Sequence, residues 1–183
     1  MTKEENSSNS SERLCWFAAR TRNGQELSIR KTLGDLGIEN YIPTKEGVRE
    51  YCGRRTTREV PVIPCLVFLR ATKADACALA NGRGVPVWYV IDRATRSMLV
   101  VPDKQMEDFR RVLDVAPDAI CPPDTVFAPG DRVQVIKGGL KGIEGDIIEE
   151  PGRTYVAVNL GNILCAKVKI PKSYLRLVTR DKA

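Results

Sequence analysis

The alternation of apolar and polar positions divides the chain into elements. Leu14 to Ala19 is a short apolar run, and Thr21 to Gly24 after it is polar, which predicts a strand and a turn. Ile29, Leu33 and Leu36 recur at helical spacing, with Gly37 as a left-handed stop. Asn23 and Glu26 stand at the spacing of an N-terminal capping box. Ile38 to Pro43 predicts a second strand, and the polar stretch 44–59, with Gly47 and Gly53, an exposed hairpin or loop. Val60 to Arg70, VPVIPCLVFLR, is the longest nearly unbroken apolar run. Pro61 and Pro64 cannot donate to a ladder, so the run predicts an extended approach to Pro64 and a strand from Cys65 to Leu69. Strand alternation then puts Cys65, Val67 and Leu69 on one face and Leu66 and Phe68 on the other.

Thr72 and Asp75 form a second capping pair, opening a short alanine-rich helix that Gly82 ends. Val85 to Ile91 predicts a strand, Asp92 to Ser97 a turn, and Met98 to Val101 a short strand. Pro102-Asp103 opens a third helix with Met106, Phe109, Val112 and Leu113 on its apolar face. Residues 114–124 carry three prolines and three acids, the composition of a linker. Beyond it the pattern is all β. Arg132 to Ile136 alternates, and residues 137–142 form a glycine loop. Further runs follow at 143–149, 154–160, 163–170 and 174–178, with turns at Pro151-Gly152 and Gly161-Asn162. The expected architecture is α+β. It has a disordered tail over 1–12, a domain over 13–113 whose mixed or antiparallel sheet is flanked by helices, a linker over 114–124, and a small β-barrel over 125–183.

Charge sharpens this division. The 183 residues hold 29 Lys and Arg against 23 Asp and Glu, a net charge of +6. Residues 13–33 and 163–183 are basic and 101–124 acidic, which fits two modules and favours anionic partners such as nucleic acid. The six cysteines show no CxxC spacing and histidine is absent, so no metal site is expected. Without a secretion signal, reduced buried thiols are expected over the alternative of three disulfides. No nucleophile elbow, phosphate loop or paired carboxylates stand out, and no cofactor is implied. Cys52 and Cys65 are the only thiols an enzyme reading could use; the expectation is a binding protein, not an enzyme. No segment has the length of a membrane span, and the polar N-terminus has no signal-peptide core, so a cytoplasmic monomer is expected.

Two motifs then converge. Residues 130–145, GDRVQVIKGGLKGIEG, resemble a KOW motif, with Val133, Val135, Lys137, Gly138, Gly142 and Gly145 at its characteristic positions. That motif implies an SH3-like barrel. The N-terminal half resembles the N-terminal domain of the NusG family of transcription factors. The matching residues are Trp16-Phe17, Gly24-Gln25-Glu26, Tyr41-Ile42-Pro43, Ile63 to Phe68, and Pro102 with the third helix.

The resemblance implies binding to RNA polymerase, at the clamp helices of the largest subunit, and suppression of pausing. It assigns Ile63, Pro64, Leu66 and Phe68 to the polymerase patch. On the residues alone, Leu66 and Phe68 read as strand positions beneath a helix; the resemblance moves them to an interface. Arg20, Arg22 and Asn23 match positions that contact the non-template DNA strand in specialised members, or are ordinary surface charge. Arg54, Arg55 and Arg58 are further candidates for contact with DNA or nascent RNA, although Glu46, Glu50 and Glu59 dilute the local field. Cys65 and Leu66 depart from the family's glycine or asparagine and aromatic. Asn159 to Val168 departs from the segment by which general factors engage Rho or a ribosomal protein. The chain in this respect resembles the UpxY branch of operon-specific antiterminators, tied to capsular polysaccharide loci. A general NusG-type elongation factor, and a KOW-containing RNA-binding or ribosome-associated protein, are the alternatives.

Overall fold

The computed structural model describes residues 13–51, 53–82, 84–117, 120–121, 131–150, 153–160 and 164–178. The expected tail, Cys52, residues 122–124 of the linker, Gly130, and the turns at Pro151-Gly152 and Gly161-Asn162 lie outside these. The chain divides into two compact units, up to Asp103 and from Lys104.

The first unit contains β1 (Cys15–Arg20), α1 (Glu26–Asp35), β2 (Glu39–Tyr41), β3 (Thr44–Tyr51), β4 (Arg54–Pro61), β5 (Leu66–Ala71) and α2 (Lys73–Asn81). Four two-residue strands follow: β6 (Trp88–Tyr89), β7 (Ile91–Asp92), β8 (Ser97–Met98) and β9 (Val100–Val101). The second unit begins within α3 (Asp103–Val115) and continues through β10 (Ile120–Cys121), β11 (Arg132–Val135), β12 (Glu144–Glu150), β13 (Arg153–Leu160), β14 (Leu164–Lys169) and β15 (Leu175–Leu177). Three helices and antiparallel sheets make this the mixed α+β fold that the periodicities predict.

In the first unit β1 pairs antiparallel with β5 along its whole length, from Cys15 opposite Ala71 to Arg20 opposite Leu66. β6 and β9 also pair with β1, and β2 lies beyond β5. Alternate residues Phe17 and Ala19 of β1, and Val67 and Leu69 of β5, form one buried cluster with Ile29 and Leu33 of α1 and Ala76 and Leu79 of α2. The i, i+4 apolar pair of α1 and the period-two pairs of the strands therefore meet on one face of the sheet. Gly37 adopts φ 71° and donates to Gly34 O at 2.9 Å, while Ile38 donates to Leu33 O at 2.9 Å, the glycine stop expected from the sequence. Thr72 accepts from the Asp75 N–H at 3.1 Å and caps α2.

Two local expectations are corrected. Asn23 and Glu26 do not form a capping box: the α1 N-cap is Gln25, with no side-chain cap. Glu26, only 2% exposed, turns inward, and its Oε1 accepts from the Cys65 N–H at 2.7 Å. The long apolar run is also not one approach and one strand. Val60 and Pro61 end β4, residues 62–65 turn, and β5 begins at Leu66. Pro61 thus closes a two-stranded ribbon, where its missing donor costs nothing, and Val62 donates to Pro43 O at 2.8 Å.

The second unit carries a six-stranded antiparallel sheet in the order β10-β14-β13-β12-β11-β15. Its β10 comes from within the expected linker and pairs with β14. Val133 and Val135 are buried, as alternation predicts. Gly145 lies opposite Val133, and a Cβ there would sit 2.3 Å from Ala157 O. Only glycine lets those strands approach. Gly142 holds φ 90° in the loop before β12. Arg111 of α3 donates to the loop carbonyls of Gly139 and Lys141 at 2.9 and 3.0 Å. No helix among the described residues is long and apolar enough to cross a membrane.

Candidate nucleic-acid interface

Of the expected site residues of the first unit, Arg20, Arg22, Asn23, Ile63, Pro64 and Leu66 gather at the end of the sheet where β1 stops and β5 starts. The Thr21 N–H donates to Cys65 O at 3.1 Å, joining the two chain segments. Cys65 has φ 60°, a left-handed conformation that a residue with a Cβ adopts at a cost. Two bonds fix it, one on each side of the residue: Glu26 on its N–H and Thr21 on its carbonyl. Pro64 beside it is exposed and Ile63 is 8% exposed. Arg20, Arg22 and Asn23 are exposed along the adjoining edge.

Trp88 joins this edge and was not singled out by the sequence reading. It lies opposite Arg20 in the β1–β6 pairing and is 53% exposed. An indole beside a guanidinium offers a flat face and a cation to an unpaired base. Its signal was present in the sequence. Val85 and Val87 are buried and Tyr89 packs against the same cluster, so alternation turns Trp88 outward.

Leu66 and Phe68 are placed differently from the interface expectation. They are 1% and 0% exposed. Phe68 faces Ala18 across the β1–β5 pair, and Trp16 of the same β1 face is 4% exposed and opposite the buried Val101. The second face of the sheet is thus a buried layer in its own right, and the Tyr41 ring tilts against Phe68 with centroids 6.4 Å apart. The plainer reading of these residues, beneath other elements, is the one their burial supports.

The stretch 44–59 is a hairpin, β3 paired with β4 from Thr44–Pro61 to Tyr51–Arg54. Its register sorts the charges. Arg54 and Arg58 share one side of β4, and Lys45 lies across from Val60 on that side. Glu46 pairs with Glu59 on the other side, which also takes Arg55. The acids therefore do not dilute Arg54 and Arg58, as a count along the chain suggests. The acidic side is tied to α1: the two terminal guanidinium nitrogens of Arg30 donate to Glu59, and the Thr44 hydroxyl donates to the same carboxylate at 2.6 Å. The Arg30 bond first, and Thr44 second, hold the Glu59 carboxyl down at about 2, and the same bond to Glu59 pushes the Arg30 guanidinium up.

Of the glycine-motif residues, Val133 and Val135 are core, Lys137 is exposed, and Gly138, Gly142 and Gly145 shape the loop and the close strand pair. Among the described residues no group of three or more acids or cysteines is placed to hold a metal ion.

Comparison with known proteins places residues 14–110, more than half of the chain, in the family described as "Transcription termination factor nusG". No curated protein matches the sequence. Among solved structures, one on domain interaction in Thermotoga maritima NusG aligns over 91% of this chain and 98% of its own, at 21% identity and TM-score 0.49. A chain of the MjSpt4:Spt5 complex aligns over 92% of this chain and 99% of its own, at 19% identity and TM-score 0.29.

Proposed function

The chain belongs to the NusG family of transcription factors, and on that premise we propose that it binds RNA polymerase through its first unit and suppresses pausing or termination. The family match over residues 14–110 carries this reading. The patch that faces the clamp helices of the largest polymerase subunit is centred on the exposed Pro64 and on Ile63 at the turn before β5. Leu66 and Phe68 hold that turn from beneath and do not themselves touch the partner. The non-template DNA strand runs past Arg20, Arg22 and Asn23, with Trp88 as the stacking surface.

The strands of the second unit from β11 onward are proposed to be a KOW domain of the SH3-like barrel type, following the proline- and acid-rich segment 114–124. Support comes from the glycine pattern and from Gly145, where the strand pairing admits no side chain. The departure of Asn159 to Val168 from the general factor's segment supports action in specific, capsular polysaccharide-type operons, as in the UpxY branch. The protein then works in the cytoplasm without a cofactor or catalytic step.

The test is capture of purified RNA polymerase by the full chain, followed by a readthrough assay at a pause site. Pro64→Glu is expected to weaken capture at least tenfold with the fold intact. Failure of the parent protein to capture polymerase, with tight RNA binding by the same protein, would replace this reading by the RNA-binding or ribosome-associated alternative. Transcript profiles after deletion separate the two transcriptional versions. Loss of distal transcripts in a few operons supports the specialised factor, and a genome-wide change the general one.

A further inference from the structure

The second unit holds two of the six cysteines, Cys121 and Cys165. Strand register sets them directly opposite one another across the antiparallel β10–β14 pair. Opposite residues of such a pair have Cα atoms about 4.5–5.5 Å apart, inside the window of about 4.4–6.8 Å that a disulfide requires. The fold makes this pairing, since no short cysteine motif joins the two positions along the chain. The cysteines described in the first unit are placed otherwise. Cys15 stands opposite Ala71, Cys65 lies in the turn before β5, and Cys77 is exposed on α2.

The strand that carries Cys121 is also weakly anchored. β10 is an edge strand, and its register with β14 spans Ile120–Ala166 and Cys121–Cys165. On the other side of β14, β13 pairs from Tyr155 opposite Lys169 to Leu160 opposite Leu164. A two-residue edge strand opens at far smaller cost than a strand paired along its length. A covalent bond therefore changes most at the place where the ladder contributes least. Cys165, 8% exposed, sits between Asn159 of β13 and Cys121.

We propose that Cys121 and Cys165 form a reversible disulfide that clasps β10 to β14. The proposal goes beyond polymerase binding and does not depend on it. The oxidant is a low-molecular-weight disulfide such as oxidised glutathione. One protein thiolate attacks a sulfur of that disulfide, forms a mixed disulfide and releases one small thiol. The second protein thiolate attacks the protein sulfur of the mixed disulfide, closes the Cys121–Cys165 bond and expels the second small thiol. Two protein thiols are oxidised, one small disulfide is reduced, and the two protons lost by the protein end on the released thiols. The bond closes the loop from Cys121 to Cys165, which restrains the unfolded chain. It also fixes the segment around residues 114–124 to β14 when the ladder there opens.

The experiment equilibrates the full chain with set ratios of oxidised to reduced glutathione, blocks thiols with N-ethylmaleimide and digests with trypsin. Cleavage after Arg111, Arg132, Arg153 and Lys167 leaves Cys121 and Cys165 in separate peptides, so the bond is read as a linked pair by mass. The Cys121–Cys165 link should be at least tenfold more abundant than any other cysteine pair and vanish with dithiothreitol. Another pair at equal yield, or mixed disulfides with glutathione at every ratio, would overturn the assignment. Cys77→Ser should leave the link unchanged, and its loss there would count equally against it. Linkage is read on the parent protein, so the result stands even where Cys121→Ser or Cys165→Ser fails to fold. Two further measurements test the clasp. On oxidation, amide hydrogen exchange in the peptide carrying Ile120 and Cys121 should slow at least tenfold. The urea midpoint of the second unit by circular dichroism should rise by about 1 M, with the tryptophan transition of the first unit unmoved. Linkage with unchanged exchange and midpoint would refute the clasp.

Discussion

Replacing Glu26 by alanine tests whether one buried carboxylate holds the whole end of the sheet. Its Oε1 is the acceptor for the Cys65 N–H at 2.7 Å, and Glu26 is 2% exposed, so no water takes its place readily. Leaving that donor unpaired costs about 1–3 kcal/mol. Cys65 at φ 60° adds a strain of about 1–2 kcal/mol for a residue with a Cβ. Cys65→Gly removes that strain and returns about 0.5–1 kcal/mol of it as extra freedom of the unfolded chain. Cys65→Gly is therefore expected to stabilise by about 0.5–1 kcal/mol, and Glu26→Ala to destabilise by about 2–3 kcal/mol. The two should couple, because glycine holds the left-handed turn without help. In the Cys65→Gly background the loss of Glu26 should cost about 1 kcal/mol less. The only two tryptophans, Trp16 and Trp88, both lie in the first unit, so their fluorescence during urea unfolding reports that unit. A Glu26→Ala cost below about 0.5 kcal/mol, or a cycle additive within about 0.3 kcal/mol, would refute the reasoning.

Phe68→Ala, at a position 0% exposed, should destabilise the first unit by about 3–5 kcal/mol in the same assay; a folded protein that merely loses polymerase would return Phe68 to the interface. Gly145→Ala places a Cβ 2.3 Å from Ala157 O and 2.7 Å from a Val156 methyl, and should cost the second unit about 2–4 kcal/mol by circular dichroism while the tryptophan transition stays put. Glu59 titrates at about 2 in the fold against 4.5 for the free group. Its stabilisation is thus present above pH 4.5 and fades as pH falls towards 2. Arg30 and Glu59 are 39% and 42% exposed, so solvent screening holds the effect to about 0.5–1 kcal/mol. The urea midpoints of the parent and Glu59→Gln should differ most at pH 6, draw together as pH falls below 4.5 and converge only below about pH 2; a constant difference would show that the pair does not contribute.

Elements set by local periodicity were legible in the sequence. The Ile29–Leu33 stripe, the Gly37 stop, the Thr72 cap and the face of Met106 and Phe109 lie where their spacing put them. What escaped depends on contacts between distant residues. Glu26 has the spacing of a cap, yet its carboxylate serves Cys65, and nothing local announces a partner so far along the chain. Leu66 and Phe68 alternate correctly, but alternation names two faces without saying that both are buried. The charges of the hairpin could not be sorted until Glu46 was known to pair with Glu59 and Gly47 with Arg58. A shift of one residue in that pairing would move every charge on one strand to the other side. Trp88 was the exception, since the buried Val85 and Val87 already implied its outward direction.

The hairpin leaves the sheet after β2 and rejoins it at β5, and Thr44 and Pro61 are paired at its base. Its length is therefore a free parameter of the fold: residues can be added to or removed from both strands without disturbing the core. The steps are quantised, however. Two residues per strand move the tip by about 7 Å and keep every side chain on its side, whereas one residue per strand exchanges the two sides of everything beyond the change. Reach can be tuned independently of stability, but only in even increments, which makes this ribbon a natural place for relatives to differ and for an engineer to graft.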